Sequence, residues 1–79
     1  MDNILEEVNR VFRLVFHKND IIISADTTAG DIPGWDSLTH MALIAAIEEH
    51  FRILFSFEEV REFKNVGDLV HLIRQKSGQ

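Results

Sequence analysis

The sequence predicts an all-α fold, a four-helix bundle with a long loop between helices 1 and 2 and a short third helix. Three observations carry that expectation. Apolar residues recur at spacings of three and four in separate stretches, which is the period of a helix face and not of a strand. Residues that cap helices stand at the heads of those stretches. Between the first two stretches lies a long run of turn-forming residues, from about Lys18 to Asp36.

The first helix is expected from about Asn3 to His17, where Ile4, Leu5, Val8, Val11, Phe12 and Val15 mark one face. Asn3 with Glu6 makes an approximate capping box. Glu6 and Glu7 suit the positive end of the helix, and Arg13 and Lys18 the negative end. In the following loop, Asp20, Ser24, Asp26, Thr27, Thr28, Gly30, Asp31, Pro33 and Gly34 favour turns and caps. Ile21, Ile22 and Ile23 could pair as a short strand. In a helical chain of this size they are read as loop residues that anchor apolar side chains in the core. A connection this long in so small a chain is unusual, and such loops often serve function.

The second helix is expected from Ser37 or its neighbour to about Phe51, with Leu43, Ala46, Ile47 and Phe51 as its core stripe. From Met41 through Ile47 it carries no polar residue. A helix apolar all round is either buried on every side or meets something besides its own core. Arg52 to Phe55 is a short connection. Ser56 and Glu59 then form a capping box for a brief third helix, about Phe57 to Phe63. Asn65 caps a fourth, with Asp68 in its first turn and Val66, Leu69, Val70 and Ile73 on its apolar face. Arg74 and Lys76 lie near its negative end, and Ser77-Gly78-Gln79 is expected to fray.

Bulk composition narrows the function. The chain has 79 residues, enough for one domain with a thin core. It has no cysteine, so a disulfide framework and a thiolate metal site are excluded. Thirteen acidic against eight scattered basic residues give a net charge of −5, which disfavours nucleic acid as a partner. The polar start, Met1-Asp2-Asn3, is not a secretory signal, and no stretch is long and apolar enough to span a membrane. A soluble, cytoplasmic protein is the expectation.

Catalysis finds little support. His17, His40, His50 and His71 show no i, i+4 pair for a metal. Ser37 with His40 lacks the flanking glycines of a hydrolase elbow, having Trp35 and Thr39 there. Gly30 and Gly34 fit turns and not a phosphate loop. What stands out is Asp36-Ser37-Leu38, which places a serine hydroxyl at the mouth of a helix. On position alone, capping by Ser37 explains it, worth roughly 1 kcal/mol, and Asp36 could cap equally well. A phosphate added to Ser37 would lie in the positive field of the helix N-terminus.

The stretch Gly34-Trp35-Asp36-Ser37-Leu38-Thr39-His40-Met41 resembles the attachment segment of acyl carrier proteins. The resemblance continues through Ile47-Glu48-Glu49-His50-Phe51, Phe55-Ser56-Phe57-Glu58-Glu59-Val60 and Asn65-Val66-Gly67-Asp68-Leu69, and so covers the whole chain. It implies an acyl-carrier-like bundle and a non-catalytic carrier. Ser37 would bear a 4′-phosphopantetheine arm, added from coenzyme A by a phosphopantetheinyl transferase, with Asp36 and Leu38 completing the attachment motif. The arm's thiol would hold acyl groups as thioesters. It implies as partners an acyl-loading ligase or acyltransferase, and synthases or tailoring enzymes of fatty-acid, polyketide or related biosynthesis. By the same resemblance Leu38, Met41, Ala45, Glu48 and Glu49 face partner enzymes or the cargo. A monomer is expected.

The chain also departs from the family pattern. Thr39 and Ala42 stand where many fatty-acid carriers have acids, while Leu54 and Phe57 replace residues commonly polar there and Arg52 adds a positive charge. Recognition is therefore expected to lean on apolar contact more than on steering. Leu54 and Phe57 are assigned to a partner surface or a dimer contact, and a specialised pathway is favoured over housekeeping fatty-acid synthesis. The alternatives are a peptidyl or aminoacyl carrier, which more often shows two glycines before the triplet, and a helical interaction module with no prosthetic group.

Overall fold

Helices form where the periodicity places them in this computed structural model, which describes residues 4–77. They are α1, Ile4–Phe16; α2, Ser37–Phe51; α3, Phe57–Glu62; and α4, Val66–Lys76. A single 3₁₀ turn, Ala29–Asp31, interrupts the long loop, and the described residues contain no strand. The expected Asn3 cap, and the fraying of Gly78 and Gln79, lie outside the described residues. Helix α3 stops one residue short of expectation because Phe63 takes an extended conformation, φ −76° and ψ 137°.

Helix α1 packs chiefly on α2 and also on α4. Val8 and Phe12 of α1, Leu43 and Ile47 of α2, and Val66, Leu69 and Ile73 of α4 are fully buried. Burying one such side chain is worth about 1.5–3 kcal/mol. Two residues sit differently from expectation. Leu5 is exposed, because the next position on a helix turns about 100° away from Ile4 and leaves the face. Ile44 is buried, although it stands outside the stripe through Leu43 and Ile47.

The loop anchors itself as the sequence suggested, through alternation. Ile21 and Ile23 are buried in the core, while Ile22 between them is 83% exposed. Successive side chains of an extended segment point to opposite sides, so only two of the three isoleucines can face inward. Polar groups on α1 hold this segment. Asn9 Nδ2 donates to the Ile21 carbonyl at 3.0 Å, and Asn9 Oδ1 accepts from the Ile23 amide at 2.7 Å. Arg13 Nε donates to the same Ile21 carbonyl at 2.8 Å.

Further along, the loop caps α4. The first amides of a helix have no partner within it. Here the Val66 amide donates to the Thr27 carbonyl at 2.9 Å, and the Gly67 amide to the Ala25 carbonyl at 2.8 Å. Asn65 Oδ1 accepts from the Asp68 amide at 2.9 Å. The approach is close enough that a Cβ at Gly67 would lie 3.0 Å from the Ala25 oxygen. The long connection is therefore tied to α1 and to α4 before it reaches Ser37.

Candidate functional site

The segment ahead of Ser37 is fixed by aromatic packing. Trp35 meets Phe12 edge-on, with ring centroids 5.2 Å apart, and so rests on the core face of α1. Its indole Nε1–H donates to His40 Nδ1 at 3.0 Å. The His40 ring also stacks on Phe63 at 5.1 Å, which joins the loop, α2 and the end of α3 in one aromatic row. An indole nitrogen can only donate, so His40 Nδ1 accepts and the neutral ring carries its proton on Nε2. Gly34, with φ +89°, makes the turn into this segment, in a region that glycine enters without strain.

Helix α2 begins with a cap that is not Ser37. Asp36 Oδ1 accepts from the amides of Leu38 and Thr39, each at 3.0 Å. In return, Thr39 Oγ1 accepts from the Asp36 amide at 2.7 Å and donates to the Gly34 carbonyl at 2.7 Å. Thr39 thus serves the turn itself, a use that the sequence comparison with acidic relatives did not suggest. The bond from the Thr39 amide, followed by those from the Thr39 hydroxyl and the Leu38 amide, holds the Asp36 carboxyl below the ordinary carboxylate range.

With Asp36 capping, Ser37 is released from that task. It is exposed, and among the described residues its hydroxyl has no hydrogen-bond partner. The same geometry revises the expectation for a phosphate there. The Leu38 and Thr39 amides already face a carboxylate, so the positive end of α2 is largely answered before anything is added to Ser37.

Beside Ser37 runs an open groove of about 550 Å³ between the start of α2 and α3. Trp35, His40 and Met41 line one side, and Phe57, Val60 and Arg61 the other. A second depression of about 580 Å³ lies at the far end of α2, against Ala45, Glu48, Glu49 and Leu54. The expected partner residues divide between these places. Leu38, Met41, Leu54 and Phe57 are 63–80% exposed, and Ala45 and Glu49 are exposed as well. Glu48 differs, because its Oε2 accepts from the Phe55 amide at 2.9 Å and holds the connection to α3.

Sequence reasoning missed Asn9, Arg13, the Trp35–His40 pair and Arg61. Asn9 had a visible signal, a polar residue beside the apolar face of α1. The other contacts depend on how the chain turns between the residues that meet.

The chain as a whole is similar to known proteins. Residues 4–73 match the family model described as the phosphopantetheine attachment site. The chain is 38% identical over 63 residues to an acyl carrier protein of Phytoplasma mali, covering 80% of this chain and 73% of that one. It also superposes on the solution structure of a holo acyl carrier protein from Geobacter metallireducens with a TM-score of 0.92. That pair is 40% identical, over 98% of this chain and 88% of the other.

Proposed function

The chain belongs to the acyl carrier family of phosphopantetheine-binding proteins, and from that premise we propose that Ser37 is where its 4′-phosphopantetheine arm is joined. The prosthetic group supplies a thiol on which acyl groups are held as thioesters, and the chain has no cysteine of its own. One observation carries the assignment to Ser37. Its hydroxyl is exposed and unbonded at the first position of α2, while the neighbouring Asp36 does the capping. The groove beside it is open, so an arm can leave Ser37 without displacing core side chains.

In this reading residues 1–79 act as one carrier domain, monomeric and cytoplasmic, with no catalytic step of its own. A phosphopantetheinyl transferase adds the arm from coenzyme A, and loading and synthase enzymes dock afterwards. Leu38, Met41, Ala45, Glu49, Leu54 and Phe57 form the docking face, with Glu48 shaping the connection beneath it. Their exposed apolar surface favours contact burial over charge steering, and a specialised pathway over the housekeeping one.

Intact mass after incubation with coenzyme A and a broad-specificity phosphopantetheinyl transferase tests the attachment. One arm should be added to the wild type and none to Ser37→Ala. Modification of Ser37→Ala, or no modification of the wild type, would overturn the assignment. Polar replacement of Leu54 and Phe57 together should weaken docking of a partner while the helical signal and unfolding midpoint stay unchanged.

A further inference from the structure

A phosphodiester on Ser37 carries a negative charge, and of the first three amides of α2 only that of Ser37 itself is left open among the described residues. The Leu38 and Thr39 amides are engaged by Asp36, whose own charge repels a second anion. The groove supplies donors instead. Among the described residues lining it, Asp36 and Arg61 are the charged ones. The Arg61 guanidinium lies over the Phe57 ring, 5.6 Å from its centroid, and pairs with no carboxylate among the described residues. Glu58 and Glu62 are close in sequence, but neither is bonded to it.

His40 adds a second donor. Trp35 occupies Nδ1, so the ring proton sits on Nε2, which has no partner among the described residues. No buried side-chain nitrogen or oxygen among those residues lacks a partner, so Nε2–H opens to solvent. Trp35, Met41, Phe57 and Val60 line the groove around this pair of donors.

Resting on attachment at Ser37, we propose that Arg61, assisted by His40 Nε2–H, binds the phosphodiester of the arm. The cargo, at the far end of the arm, is not what Arg61 reads. The contact makes the arm's presentation dependent on salt.

Nuclear magnetic resonance on the apo and holo proteins tests this without any partner enzyme. At low salt, conversion to holo should move the Arg61 Nε–H resonance. The ³¹P resonance should stand apart from that of a short unfolded peptide bearing the same arm on serine, and added salt should bring it back. Holo Arg61→Gln should give the peptide-like ³¹P position, Arg61→Lys should retain part of the displacement, and His40→Phe should reduce it. Arg61 is exposed and, among the described residues, touches only the Phe57 ring, so its variants should keep the helical signal; if Arg61→Gln does not, the wild-type apo–holo comparison and Arg61→Lys decide. An Arg61 signal unmoved by conversion, with a peptide-like ³¹P position in the wild type, would overturn the proposal while leaving Ser37 attachment intact. Intact mass is read first, and a wild type that takes no arm overturns both.

Discussion

Replacing Asn9 by alanine should loosen the loop from α1. Two bonds are removed, from Nδ2 to the Ile21 carbonyl at 3.0 Å and to Oδ1 from the Ile23 amide at 2.7 Å. They are not equivalent. The Ile21 carbonyl keeps Arg13 Nε at 2.8 Å and stays satisfied. The Ile23 amide, whose bond is part-buried, loses its acceptor, and leaving such a donor unsatisfied costs about 1–3 kcal/mol. Alanine returns about 0.5 kcal/mol through its better helix propensity. The net loss is then about 1–2 kcal/mol, a fall in Tm of roughly 5–15 °C for a chain of this size. Equilibrium urea unfolding followed by circular dichroism measures it, and amide exchange should show the Ile23 amide losing protection. Asn9→Asp keeps the acceptor for Ile23 and should fall between wild type and Asn9→Ala. Stability of Asn9→Ala within about 0.5 kcal/mol of wild type would refute the clamp.

Three further outcomes follow from the site. Gly34→Ala has room for its methyl, with nothing within 4 Å, but φ is +89°, so it should lose about 1 kcal/mol or more in thermal unfolding through backbone strain alone. His40→Phe keeps a ring against Phe63 and removes the acceptor for the indole; since Trp35 is the sole tryptophan, its emission should change, with about 1 kcal/mol of stability lost. Acid unfolding should be flattened by Asp36→Asn and by Glu59→Gln. Asp36 is held low mainly by the Thr39 amide, and Glu59 mainly by Lys76 Nζ at 2.7 Å. The folded chain therefore binds fewer protons than the unfolded one near these groups. Their stabilisation is complete above the ordinary carboxylate range and is lost as pH falls through the lowered values. Variants that unfold along the wild-type pH curve would count against it.

Helix positions were legible in the sequence because each helix announces itself locally. The spacing of Val8, Val11 and Phe12, the Ser56–Glu59 box and the Asn65 cap each depend on residues within a turn or two. The Asp36-Ser37-Leu38 motif was likewise local. Which of Asp36 and Ser37 caps α2 was not, because both residue types do so well. The turn around Gly34 and Thr39 decides for Asp36.

The sequence by itself determined the four helices, the long loop and the serine at a helix mouth. It also marked the apolar excess of α2 that implied a second surface. Only the tertiary structure decided how that serine is presented. The clamp of Asn9 and Arg13, the capping of α4 by Thr27 and Ala25, and the row from Phe12 through Trp35 and His40 to Phe63 join separate elements and loop segments. Such contacts leave no periodic trace, since each requires a particular approach of two segments that neither encodes alone. Arg61 belongs to the same class. In sequence it is one charge on a short helix, and in the fold it lines the same groove as Ser37, after a connection from α2 to α3 that Glu48 holds at the Phe55 amide.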